Sequence, residues 1–67
     1  MPYIHIQVTR EGVTRQQKAQ LIRDTTDMMV RVPGTDPATT FVVIEEADTD
    51  NWGVAGRSVT ALRPEQA

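Results

Sequence analysis

The reading of this chain turns on its first eight residues, Met1-Pro2-Tyr3-Ile4-His5-Ile6-Gln7-Val8. Ile4, Ile6 and Val8 alternate with His5 and Gln7, the period-two pattern of a strand with one buried face. Proline cannot donate to a sheet ladder, so it belongs at an edge or at a strand's first residue. Position 2 is such a place. The position also has a chemical consequence. Removal of Met1, expected when a small residue such as proline follows, turns the Pro2 ring nitrogen into a free secondary amine. That amine is a base and a nucleophile, held by its own ring and by the strand behind it.

Beyond this strand, Thr9-Arg10-Glu11-Gly12-Val13 closes it, and Gly12 supplies a turn with positive φ. Thr14 with Gln17 three residues on forms a capping-box pattern. Leu21, Ile22, Thr25, Met28, Met29 and Val32 then recur every three or four residues, which predicts a helix over about residues 14 to 32 with Met28-Met29 in its core stripe. Arg15, Lys18, Arg23, Asp24, Asp27 and Arg31 fall off the stripe and are expected in solvent. Pro33-Gly34 ends the helix. After the turn cluster at 34–38, Thr40-Phe41-Val42-Val43-Ile44-Glu45-Glu46 is a continuous β-branched run, as in a strand covered on both faces. Strand, helix and strand make a right-handed βαβ crossover with parallel strands. One helix covers one face of such a sheet. The other, with Tyr3, His5 and Gln7 and either Phe41 and Val43 or Val42 and Ile44, is left for another subunit. Residues 47–57 read as a loop and small hairpin, Ser58-Val59-Thr60 as a short strand, and Arg63-Pro64-Glu65-Gln66-Ala67 as a loose tail. The expected class is α/β, a β-α-β subunit with a C-terminal hairpin, in a single domain of residues 1-67.

Composition narrows the function classes. A chain of 67 residues buries only about 60% of its unfolded surface, so its own core is marginal. Disulfides, metals or oligomerisation usually make up the difference. There are no cysteines and one histidine, His5, too few ligands for a structural zinc site. Oligomerisation is the expectation that remains. A net charge of −2 argues against a nucleic-acid partner. No apolar run approaches the roughly 20 residues of a membrane span, and no signal-peptide pattern is visible, so a cytoplasmic location is expected.

These pieces coincide in order and spacing with one family. The chain resembles a 4-oxalocrotonate tautomerase subunit, of the superfamily that uses an N-terminal proline. The resemblance is carried by Met1-Pro2 before an alternating strand, Glu11-Gly12 before a helix with Gln17-Lys18 and Leu21-Ile22-Arg23, Val42-Val43-Ile44-Glu45-Glu46, and Asn51-Trp52-Gly53-Val54-Ala55-Gly56. It implies a homohexamer, a trimer of dimers. It also implies cofactor-free, metal-free proton transfer within an unsaturated 2-oxo or 2-hydroxy acid, such as 2-hydroxymuconate or an enol pyruvate from aromatic-compound catabolism. Pro2 takes the place of the catalytic base and Trp52 that of the aromatic pocket residue. Where typical members carry arginines, this chain has Val13 and Phe41. Arg10 is then the candidate substrate-binding cation, and a monocarboxylate or aryl 2-oxo acid the favoured substrate.

In that reading the Pro2 amine must be unprotonated near neutrality, whereas an α-amino group titrates at about 7.7–8.0 and proline is more basic. An apolar pocket of Trp52 and Phe41 and a cation at Arg10 both lower such a pKa. Arg10 also holds the carboxylate and the charge that develops on the dienolate. His5 lies on the opposite strand face from Pro2 and is expected at an interface; Arg57 is expected as a surface or interface charge, and Glu45-Glu46 as a solvated strand end. Two alternatives stand beside this one. A hydratase, dehalogenase or decarboxylase would need a further carboxylate near the amine, from Glu11, Glu45 or Asp48. A non-catalytic subunit would retain Met1.

Overall fold

The computed structural model describes residues 1–66. Tyr3–Thr9 forms β1 and Phe41–Ala47 forms β2. They pair in parallel, with Tyr3 opposite Phe41 and Thr9 opposite Ala47. Between them runs α1, Arg15–Arg31. A single 3₁₀ turn, Pro37–Thr39, leads into β2. The ladder sorts the side chains. Ile4, Ile6 and Val8 share the half-buried face with Val42, Ile44 and Glu46, and Tyr3, His5 and Gln7 share the exposed face with Phe41, Val43 and Glu45. This resolves the choice left open for the second strand: Phe41 and Val43 are on the uncovered side.

The start of α1 follows its capping box. Thr14 Oγ1 accepts from the Gln17 amide at 3.1 Å, and Gln17 Oε1 accepts from the Thr14 amide at 2.9 Å. Gly12 bends the chain before it with φ 95, a conformation that costs a residue with a Cβ. The helix lies over β2. Its covered stripe is Lys18, Leu21, Thr25, Thr26 and Met29, so the stripe is rotated from the expected one. Ile22 and Met28 are each 42% exposed and Val32 74%. Lys18, expected in solvent, reaches instead across the layer to Glu46. Its four-carbon stem lies along the apolar layer while its head meets a carboxylate, the usual way a lysine occupies a core-facing position.

The second correction is at the C-terminus. After a 3₁₀ turn at Thr49–Asn51, Gly53–Val54 (β3) and Arg57–Ser58 (β4) form the expected hairpin. Its two-residue turn, Ala55-Gly56, has φ 52 and φ 82, the doubly positive turn that suits strand twist. From there Val59–Gln66 is a helix, α2, rather than a strand and a loose tail; Ala67 lies outside the described residues. The β-branched pair Val59-Thr60 suggests a strand, and residues 63–67 read as a terminal tail. Local bonds outweigh both: Ser58 Oγ accepts from the Ala61 amide at 3.2 Å, and the Val59 amide donates to the Trp52 carbonyl at 2.8 Å. Val59 is the one buried hydrophobic residue among those described, and it sits in this terminal unit, not between α1 and the sheet.

The protomer is elongated, 44 × 24 × 16 Å, with a radius of gyration of 15.2 Å. A self-contained domain of this length has about 11 Å. Its accessible surface of 4965 Å² exceeds the roughly 4,200 Å² of a monomer of this mass. The excess is apolar where the sheet is open: Tyr3, Phe41 and Val43 stand side by side, 64%, 49% and 42% exposed. A contiguous apolar face of this kind marks an interaction surface. No described helix is long and apolar enough to cross a membrane.

Candidate functional site

Pro2 sits one residue before β1, half-buried. Its carbonyl accepts from the Phe41 amide at 3.0 Å, the first rung of the parallel ladder. That bond and the proline ring fix the residue from both sides. Met1 projects beyond it, 86% exposed. Loss of Met1 therefore removes nothing from the packed layer and uncovers the Pro2 nitrogen. Phe41, paired with Tyr3 across the ladder, and Tyr3 itself are the aromatic residues at this end, both on the open face.

Arg10 and Trp52 lie elsewhere. Arg10 is at the far end of β1, where its amide donates to the Ala47 carbonyl at 2.8 Å. Eight residues of extended chain from Pro2 to Arg10 span about 26 Å. Its Nε lies 3.3 Å from Asp48 Oδ1, both side chains largely exposed. Trp52 closes the 3₁₀ turn that follows β2, half-buried, and its carbonyl anchors α2. One protomer thus keeps Pro2 and Phe41 at one end of the sheet and Arg10, Asp48 and Trp52 at the other. They can meet only across a boundary between chains.

The carboxylates are already engaged. Glu45 accepts from Gln7 Nε2 at 2.6 Å and lies 3.9 Å from His5 Nε2, all on the open face. Tyr3 stacks tilted on His5, ring centroids 6.4 Å apart. Glu46, on the opposite face, is held below the usual carboxylate range chiefly by Lys18, with Arg10 adding a smaller effect and burial opposing both. Glu11 is held low by hydrogen bonds from Arg63 and then Thr9. Glu11, Asp48 and Glu46 all lie at the Arg10 end, so within one chain none of them stands beside Pro2. Among the described residues no three His, Cys, Asp or Glu cluster as metal ligands would.

Two of these participants escaped the sequence reading. Lys18 was hidden because the stripe was drawn through Ile22 and Met28; its spacing of three to Leu21 is the signal that would have found it. Arg63 is hidden in the stretch 63–67 that reads as a loose tail.

The lowered carboxylates give a stability prediction. Their folded pKa values lie below the ordinary 4.5, so the stability they supply, chiefly from the less exposed Lys18–Glu46 pair because the Glu11–Arg63 pair adds little, is present above that pH and lost as pH falls through the folded values. The melting temperature at fixed protein concentration should fall below about pH 4.5, and Glu46→Gln should flatten that fall while lowering the neutral-pH plateau; thermal unfolding between about pH 3 and 7 reads both.

The chain matches the family model described as "Tautomerase enzyme" over residues 2–62. It is 51% identical over 63 residues to a probable tautomerase, K2, of Dickeya dadantii (strain 3937), covering 94% of each chain. It is 36% identical over 62 residues to the 2-hydroxymuconate tautomerase of Pseudomonas putida, covering 92% of this chain and 97% of that one. The crystal structure of DmpI from Helicobacter pylori superposes with a TM-score of 0.89 at 42% identity, over 94% of this chain and 97% of that chain.

Proposed function

The chain belongs to the tautomerase family, within the 4-oxalocrotonate tautomerase group, and has the tautomerase fold and a tautomerase-type isomerase activity; from this we propose that residues 1–67 form one domain whose Pro2 amine moves a proton within an unsaturated 2-oxo or 2-hydroxy acid. The observation that carries the reading is the position of Pro2: fixed to the ladder through the Phe41 amide, half-buried, and behind a projecting Met1. The amine takes a proton from the substrate's hydroxyl or carbon and returns it further along the conjugated system, so one group serves as base and then acid. Arg10 binds the carboxylate and offsets the dienolate charge. Trp52 and Phe41 exclude water.

Because Pro2 and Arg10 are separated within a chain, the site takes Arg10 and Trp52 from neighbouring copies. The open face of Tyr3, His5, Phe41 and Val43 and the unpaired sheet edges supply surface for that assembly, which we infer to be a homo-oligomer of the family's hexameric kind. Phe41 at the Pro2 end favours an apolar substituent on the substrate, hence a monocarboxylate or aryl 2-oxo acid over a dicarboxylate. The carboxylates a hydratase would require are bound to other partners.

The test uses protein shown by intact mass to lack Met1. Ketonisation of 2-hydroxymuconate and of phenylenolpyruvate, followed by ultraviolet absorbance, should both proceed, with the higher kcat/KM for phenylenolpyruvate. Turnover of neither rejects the proposal; a preference for the dicarboxylate rejects the role given to Phe41.

A further inference from the structure

The segment carrying Arg10 is held by few bonds. Its backbone is tied to the sheet at Arg10, through Ala47, and next at the Thr14 cap. Between these lie Glu11, Gly12 and Val13, with Gly12 in the left-handed region. Across this gap comes Arg63 of α2. Its Nε and Nη2 both donate to the Glu11 carboxylate, Nη2 at 2.9 Å. Thr9 Oγ1 donates to the same carboxylate from the other side. The fork geometry fixes direction as well as distance, over a sequence separation of 52.

We infer that the Glu11–Arg63 clamp positions the β1–α1 turn, and with it Arg10, making Arg63 a positioning residue for substrate-carboxylate binding. The inference rests on Arg10 having the role proposed above. The pair is half-exposed, 53% and 33%, and such pairs add little to global stability. What it supplies is placement. The clamp also gives a role to α2: docked on the hairpin through Val59 and Trp52, the helix carries its guanidinium to the turn at the start of the chain.

The experiment compares Arg63→Gln, Arg63→Lys, Arg10→Ala and the double variant Arg10→Ala/Arg63→Gln in the assembled protein, with phenylenolpyruvate as probe. Arg63→Gln should raise KM about three- to tenfold with kcat changed less than about twofold, as expected when carboxylate binding and not chemistry is weakened. Arg63→Lys should recover part of the loss, since lysine keeps the charge but not the fork. In the Arg10→Ala background Arg63→Gln should add nothing further. Amide exchange at Arg10 and Thr14, the hydrogen-bonded amides at the two ends of the turn, should quicken in Arg63→Gln while the melting temperature holds. Unchanged exchange overturns the clamp. Quickened exchange with the same KM increase in the Arg10→Ala background overturns the link to Arg10. A normal KM in Arg10→Ala alone rejects the proposed role of Arg10 itself, and the positioning inference with it.

Discussion

Replacing Pro2 by alanine should lower kcat/KM for phenylenolpyruvate ketonisation by about 10²-fold, and retention of Met1 should lower it by up to about 10⁴-fold, the range over which a positioned general base contributes. The order of the two follows from the chemistry at one nitrogen. After processing, the alanine variant still ends in an amine of ordinary basicity. It has lost the ring that fixes φ, so the lone pair is no longer aimed. Retained Met1 makes the same nitrogen an amide, which has no basic lone pair at all. Neither change touches the packed layer, because Met1 projects from it and the Pro2 carbonyl, not its nitrogen, makes the bond to Phe41. The assembly and melting temperature should therefore match those of the parent. The pH profile adds a signed check. Burial and a nearby cation lower the amine pKa, so Arg10→Ala should move the acid limb of kcat/KM to higher pH. Undiminished activity in a processed Pro2→Ala protein, or full activity with Met1 retained, removes Pro2 from the mechanism.

What the sequence disclosed, and what it withheld, divides along local and non-local lines. The Ile4-Ile6-Val8 alternation and the Thr14–Gln17 box are written in neighbouring residues, and each gives its element directly. The angular setting of α1 is not local. On α1 Ile22 and Met28 lie about 120° apart with Leu21, Thr25 and Met29 between them, one apolar stripe broader than a two-stranded sheet covers. Which part of it meets its own sheet depends on β2, and Glu46 favours the setting that brings Lys18 to it. The apolar residues turned outward become legible only when the chain is treated as part of something larger. The same holds for α2, where residues 63–67 read as a tail but the Ser58 cap and the Trp52 carbonyl start a helix upstream of it. The candidate site divides in the same way. Pro2, Arg10 and Trp52 are each proposed from chemistry and family pattern, but the roughly 26 Å between the first two is a property of β1 running straight between them.

That separation leads to the second large effect. Pro2→Ala and Arg10→Ala assemblies should each keep no more than about a tenth of the parent activity, and a mixture unfolded and refolded together should regain about a quarter of it. The fraction follows from random assembly across a heterologous contact. A working site needs Pro2 from an Arg10→Ala copy and Arg10 from a Pro2→Ala neighbour, each present at even odds. Loss of the Arg10 contact should cost about 1.5–3 kcal/mol, the range for hydrogen bonds to charged groups, which is roughly 10- to 100-fold in kcat/KM. Recovery to a quarter therefore exceeds either variant alone, by about 2.5-fold at the tenfold end of that range and about 25-fold at the hundredfold end. Simple mixing without unfolding should recover activity only as fast as subunits exchange. The protomer's shape makes the outcome decisive. A seven-residue strand cannot bring its two ends together, and the exposed row of Tyr3, Phe41 and Val43 shows where a second chain has surface to meet. If the co-refolded mixture stays as inactive as its components while native mass shows mixed assemblies, Pro2 and Arg10 do not act on one substrate, and the carboxylate must be held by a different cation.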